Sequence, residues 1–157
     1  MQRPRRWPIV SLVVAALAWR AGSAVAQPAA ATSCDVLEIE ASNSGAPSVD
    51  PKIGAQLESK LKKPPFSSWN TFKALGAQTR SLTLKKAESV ALSHGTLGML
   101  MLDSAPSRVR LGITLDDQAG KRVLDTKVAV DAGDWMAVGR SLKGDRGHIV
   151  AFRCGSR

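Results

Sequence analysis

Period-2 alternation of apolar and polar residues runs through most of this chain. In "RVRLGITLD", Val109, Leu111, Ile113 and Leu115 fall on one side, and Arg108, Arg110, Gly112 and Thr114 on the other. In "RVLDTKVAV" the inward set is Leu124, Thr126, Val128 and Val130, and Leu37, Ile39 and Ala41 alternate with Glu38 and Glu40. Such alternation marks strands with one buried and one wet face. Between the first two, "DDQAGK" supplies a polar, glycine-containing hairpin loop. Shorter candidates are the region from Trp69 to Leu75, "SLTL", "SVAL", "LGMLML" and "WMAVG", with turn chemistry in "SHG", "SAPS", "DAGD" and "KGDRG". Seven to nine short strands at this spacing predict a mainly β fold, a small antiparallel β-sandwich or partly open barrel.

One segment departs from that period. "DPKIGAQLESKLKKPP" offers Asp50 as N-cap and Pro51 at the first helical position, a start signal with a mechanism. Ile53, Leu57 and Leu61 recur every four residues, and Glu58 and Lys62 form an i,i+4 pair. Pro64 and Pro65 stop the element. The pattern predicts one amphipathic helix at about 51–62, packed on the sheet by a single apolar stripe.

The first residues read as an export signal. Arg3, Arg5 and Arg6 precede the apolar run Ile9–Ala18, and Ala24-Val25-Ala26 is a small-x-small cleavage site. Ten apolar residues reach only about 15 Å, half of a bilayer core. The expectation is a cleaved signal peptide over 1–26, a disordered leader over 27–33 and one β-rich domain over 34–155, with no transmembrane segment after cleavage. Cleavage removes four arginines (Arg20 is the fourth) and no acid, so the formal charge drops from +9 to about +5. The remaining aromatics are Trp69, Trp135, Phe66, Phe72 and Phe152, with no tyrosine.

Export changes how the two cysteines read. Cys34 opens the first apolar segment and Cys154 closes the last, so a disulfide between them would staple two strands together. Lipidation of Cys34 is the rival, but Ala31 stands where such signals usually carry leucine.

The stretch "LKKPPFSSWNTF", with Lys60 just upstream, carries the strongest binding signal. Lys60, Lys62, Lys63 and Trp69 form a candidate site for an anionic envelope polymer or glycan. The competing reading is architectural. Cations at a helix C-terminus complement its dipole, and Phe66, Trp69 and Phe72 seat the helix on the sheet. Other basic residues are scattered, which with so few aromatics argues against nucleic acid. His94 and His148 are the two histidines, the residue type most suited to acid–base work at neutral pH, and no G-x-S-x-G or H-E-x-x-H motif is present. Asp116, Asp117, Asp131 and Asp134 suit turns for backbone reasons, so no metal or cofactor is implied. The chain reads as non-enzymatic, with a hydrolase-like use of a histidine as the remaining catalytic alternative. It is expected to be an exported periplasmic or extracellular domain that docks another envelope or extracellular protein, an edge strand being the natural route.

Overall fold

Residues 31–155 are described by a computed structural model, and in them the alternating segments become nine strands. These are β1 (Ala31–Ser42), β2 (Ser48–Val49), β3 (Thr71–Thr83), β4 (Ala87–Leu92), β5 (Gly95–Ala105), β6 (Arg108–Asp116), β7 (Arg122–Asp131), β8 (Trp135–Leu142) and β9 (Arg146–Cys154). A five-stranded sheet runs in the order β2-β3-β1-β9-β8, and a four-stranded sheet in the order β4-β5-β6-β7. Neither sheet closes, so the architecture is a β-sandwich rather than a barrel. Ladder pairings are antiparallel except the short β2–β3 contact, which is parallel.

The core between the sheets follows the alternation. Val109, Leu111, Ile113 and Leu115 of β6 are buried there with Leu97, Met99 and Met101 of β5, facing Val36, Val150 and Phe152 of the other sheet. Arg108 and Arg110 stay exposed on the outer face. Cys34 and Cys154 stand opposite each other in the β1–β9 ladder, with Cα atoms 4.1 Å apart, and are bonded as the sequence suggests.

A second core changes the reading of β1. Leu37, Ile39 and Ala41 pack with Ile149 and Ala151 of β9, Phe72 of β3, and Ile53, Leu57 and Leu61. The five-stranded sheet is therefore a middle layer, buried on both faces at β1 and β9. Its other side does not face water as the alternation suggested: Glu38, expected on a wet face, is 4% exposed. The leader also ends earlier than expected, since Ala31 to Ser33 pair with Thr83 to Ser81 of β3. The predicted signal peptide lies outside the described residues.

The expected helix over 51–62 is two pieces. Asp50 caps as predicted, its Oδ1 accepting from the Lys52 N–H at 3.0 Å, but the turn it caps is a 3-10 turn, Pro51–Ile53. Gly54 then adopts φ of 74°, a left-handed geometry that interrupts the hydrogen-bond ladder. The α-helix proper, α1, is Ala55–Leu61. The apolar stripe survives the break, because Ile53, Leu57 and Leu61 are all buried. After α1 the chain passes a cis Pro64–Pro65 bond into a second 3-10 turn, Phe66–Ser68.

Candidate functional site

The end of α1 separates the three lysines. Lys60 reaches Asp134, at the start of β8, with Nζ 2.7 Å from Oδ2, and Gln56 donates to the same carboxylate at 3.2 Å. The hydrogen bond from Lys60 holds the Asp134 carboxyl below its ordinary range. Lys62 bonds Glu58 one turn back at 2.5 Å, the i,i+4 pair read from the sequence. Lys63 is exposed, and its carbonyl accepts from the N–H groups of Phe66 and Ser67.

Trp69 is half-buried against the second core. Its six-membered ring lies over Gly147 of β9, where an added Cβ would stand 2.5 Å from a ring carbon. Gly147 is thus the seat of the indole. Gly147→Ala is expected to expel the ring, red-shift tryptophan emission and cost about 1–3 kcal/mol in urea unfolding. An unchanged emission maximum and midpoint would show that the seat is not needed.

Lys62 and Trp69 line one groove of about 380 Å³ with Ser48, Glu58, Ser67 and Asn70. Of the four residues predicted as a site, the structure brings these two together. It turns Lys60 toward Asp134 and leaves Lys63 outside the lining. Sequence reasoning missed Ser48 and Asn70, which the parallel pairing of Ser48 with Thr71 brings beside the helix. A two-residue strand has no periodicity to detect.

A second polar cluster closes one end of the sandwich. Oε2 of Glu38 accepts the Ser93 N–H at 2.8 Å, and Oε1 accepts the His94 N–H at 3.2 Å, so the β4–β5 turn hangs on this carboxylate. Nε2 of His148 lies 2.8 Å from Oε1, and the His148 ring is fully buried. Burial by itself raises the Glu38 carboxyl. The bond to His148, the Ser93 and His94 N–H groups and the Ser93 hydroxyl outweigh it and bring the pKa to about 2. Glu38 is therefore a carboxylate at neutral pH and His148 donates to it through Nε2, leaving Nδ1 without a hydrogen-bond partner among the described residues.

Around this pair, Glu40, His148 and Arg140 form one cross-strand row on β1, β9 and β8. His94 packs edge-on to His148, ring centroids 5.1 Å apart, with Nε2 3.5 Å from Glu40. Arg146 lies 3.4 Å from Glu40, and Arg140 donates to the His94 carbonyl at 3.0 Å. The chemistry of this cluster is that of a clamp: it ties a turn of one sheet to three strands of the other. His148, noted in sequence as one of two histidines, is fully buried and is one member of this clamp.

The four turn aspartates do not converge. Asp116 and Asp117 lie at one end of β7, Asp131 and Asp134 at the other. Among the described residues no group of histidine, cysteine, aspartate or glutamate side chains is placed to hold a metal ion, and no helix is long and apolar enough to cross a membrane.

Comparison with known proteins adds little. No family model and no curated protein matches the chain. The cryo-EM structure of the T2SS secretin XcpQ from Pseudomonas aeruginosa is similar over 80% of this chain and 58% of that chain, at 13% identity and a TM-score of 0.34. This chain thus spans less than two thirds of the secretin chain. A score that low fixes neither fold nor role.

Proposed function

We propose that this protein is an exported, non-enzymatic domain of the periplasm or extracellular space that docks an extended segment of another envelope or extracellular protein. An oxidising compartment suits the Cys34–Cys154 bond. The observation that carries the docking role is the side of the sandwich where β7 and β8 end their sheets. Leu124 and Val128 of β7 and Met136 and Val138 of β8 are only half-buried against the inter-sheet core. On the opposite side, Leu82 of β3 and Val90 of β4 are fully buried.

The open side therefore combines an apolar seam with two strand edges whose main-chain groups lack a neighbouring strand among the described residues. An added strand would satisfy those groups and cover the seam, the physics of β-augmentation. β7 is the better acceptor, with ten residues and no proline. Asp125 and Lys127 on its exposed face oppose indiscriminate pairing.

A photo-crosslinking residue at Lys127, introduced into the full chain in its own cells, tests the reading. A single heavier product is expected from Lys127, absent when the crosslinker replaces Ser59 on α1, and lost on adding Val128→Lys. A product with twice the chain mass would replace the partner by self-pairing. No product from Lys127 would refute docking at this edge.

A further inference from the structure

We infer that the groove beside Trp69 binds a neutral saccharide chain, at a site separate from the β7–β8 seam. Gly147 beneath the six-membered ring holds the indole of Trp69 in one orientation. Its Nε1–H has no acceptor among the described residues and is not sealed from solvent. Such a side chain offers an apolar face and one donor at its edge. A sugar ring offers the complement, an apolar C–H face rimmed by hydroxyls that both donate and accept.

The rest of the lining supplies the rim contacts. Glu58 and Lys62, bonded to each other at 2.5 Å, present an acceptor and a donor side by side with no net charge. Ser48 and Ser67 add hydroxyls and Asn70 an amide, while Val49 and Phe72 add apolar surface. The volume, about 380 Å³, lies within the roughly 300–1,000 Å³ of small-ligand sites.

Charge decides between a neutral and an anionic ligand. Lys60 is spent on Asp134 at 2.7 Å, and Lys63 is not in the lining. Lys62, the lysine that does line the groove, is neutralised by Glu58. Three lysines that look like one cluster in sequence thus never combine into a single positive field. An anionic polymer would find one compensated ammonium, whereas a polyol uses both members of the pair.

Calorimetric titration of the mature, oxidised chain tests this, using maltotetraose, cellotetraose and chitotetraose, their monosaccharides, and polygalacturonate with and without added salt. At least one neutral tetrasaccharide is expected to bind more tightly than its monosaccharide and to be insensitive to salt. Trp69→Ala should weaken it by about tenfold or more. Because Trp69 also packs against the second core, Ser67→Trp serves as the second variant. It fills the groove from an exposed turn, and should abolish binding while leaving the melting temperature in place. The inference is overturned if no neutral saccharide binds, or if Ser67→Trp binds like the parent. A monosaccharide binding as tightly as its tetramer would make the ligand a free sugar instead of a chain. Binding confined to polygalacturonate, lost with salt and with Lys62→Ala, would make it an anionic polymer.

Discussion

A Cys34→Ala/Cys154→Ala variant is expected to lose about 4–5 kcal/mol of stability in the chain-entropy model, and about 2–4 kcal/mol where the denatured chain keeps some structure. The bridge spans 120 residues, so breaking it frees nearly the whole described domain in the unfolded state. In the folded state the substitution changes little. Both side chains are buried in the inter-sheet core, and alanine is small enough to enter without a clash. The ladder around them also remains, since Ser33 accepts from Gly155 and the β1–β9 register continues from Asp35 to Ala41. The loss should therefore appear as a lower urea midpoint with native-like circular dichroism, and chemical reduction of the parent should reproduce it. A shift under about 1 kcal/mol by both routes would mean that the sheets hold the two strands together unaided, and would remove the bridge as a major source of stability.

The second large effect belongs to Glu38. Its carboxyl titrates near 2 in the folded protein, against an ordinary value of 4.5. Each unit is worth about 1.4 kcal/mol, so the ionised group contributes about 3 kcal/mol. Because the folded value is the lower one, this contribution is complete above about pH 5. It is lost as pH falls from there toward 2. Glu38→Gln should cost about 3 kcal/mol at pH 7, since the amide leaves the Ser93 N–H, the His94 N–H and His148 competing for a weaker acceptor. The gap between parent and variant should shrink steadily below pH 5 and nearly close at pH 2. Urea midpoints measured across that range check it. A gap that stays constant with pH would show that the carboxylate's charge is not what holds the β4–β5 turn.

Much of the fold was legible because one face of several strands is wet. β6 shows this best: Val109, Leu111, Ile113 and Leu115 go in, while Arg108 and Arg110 stay out. The alternation in β7 likewise placed Leu124, Val128 and Val130 inward. Strands in the middle layer hide their second face. In β1 the residues between the obvious apolar positions are Glu38 and Glu40, which read as solvent-facing. Their true surroundings come from His94 and His148, far along the chain. No local pattern announces a buried carboxylate whose partners arrive from another sheet. The helix shows the same limit in miniature. Its cap and stripe were readable, but Gly54 could be either a tolerated helical residue or a break, and in the folded chain it is the break.

The candidate site was half legible. Lys62 and Trp69 do meet, because a helix end and the aromatic after it are close in the chain. Lys60, adjacent to them in sequence, turns to Asp134, which lies 74 residues away. By itself, then, the sequence determined a mainly β fold, a sandwich or a partly open barrel, with one helical segment and two cysteines placed to staple its terminal strands, since burial period, caps and cysteine placement are local properties. Tertiary structure alone decided which sheet is the middle layer, that Glu38 is a buried clamp, that the lysines part company and that β7 and β8 leave an open seam. Each of these depends on contacts between residues distant in the chain, which no spacing along it encodes.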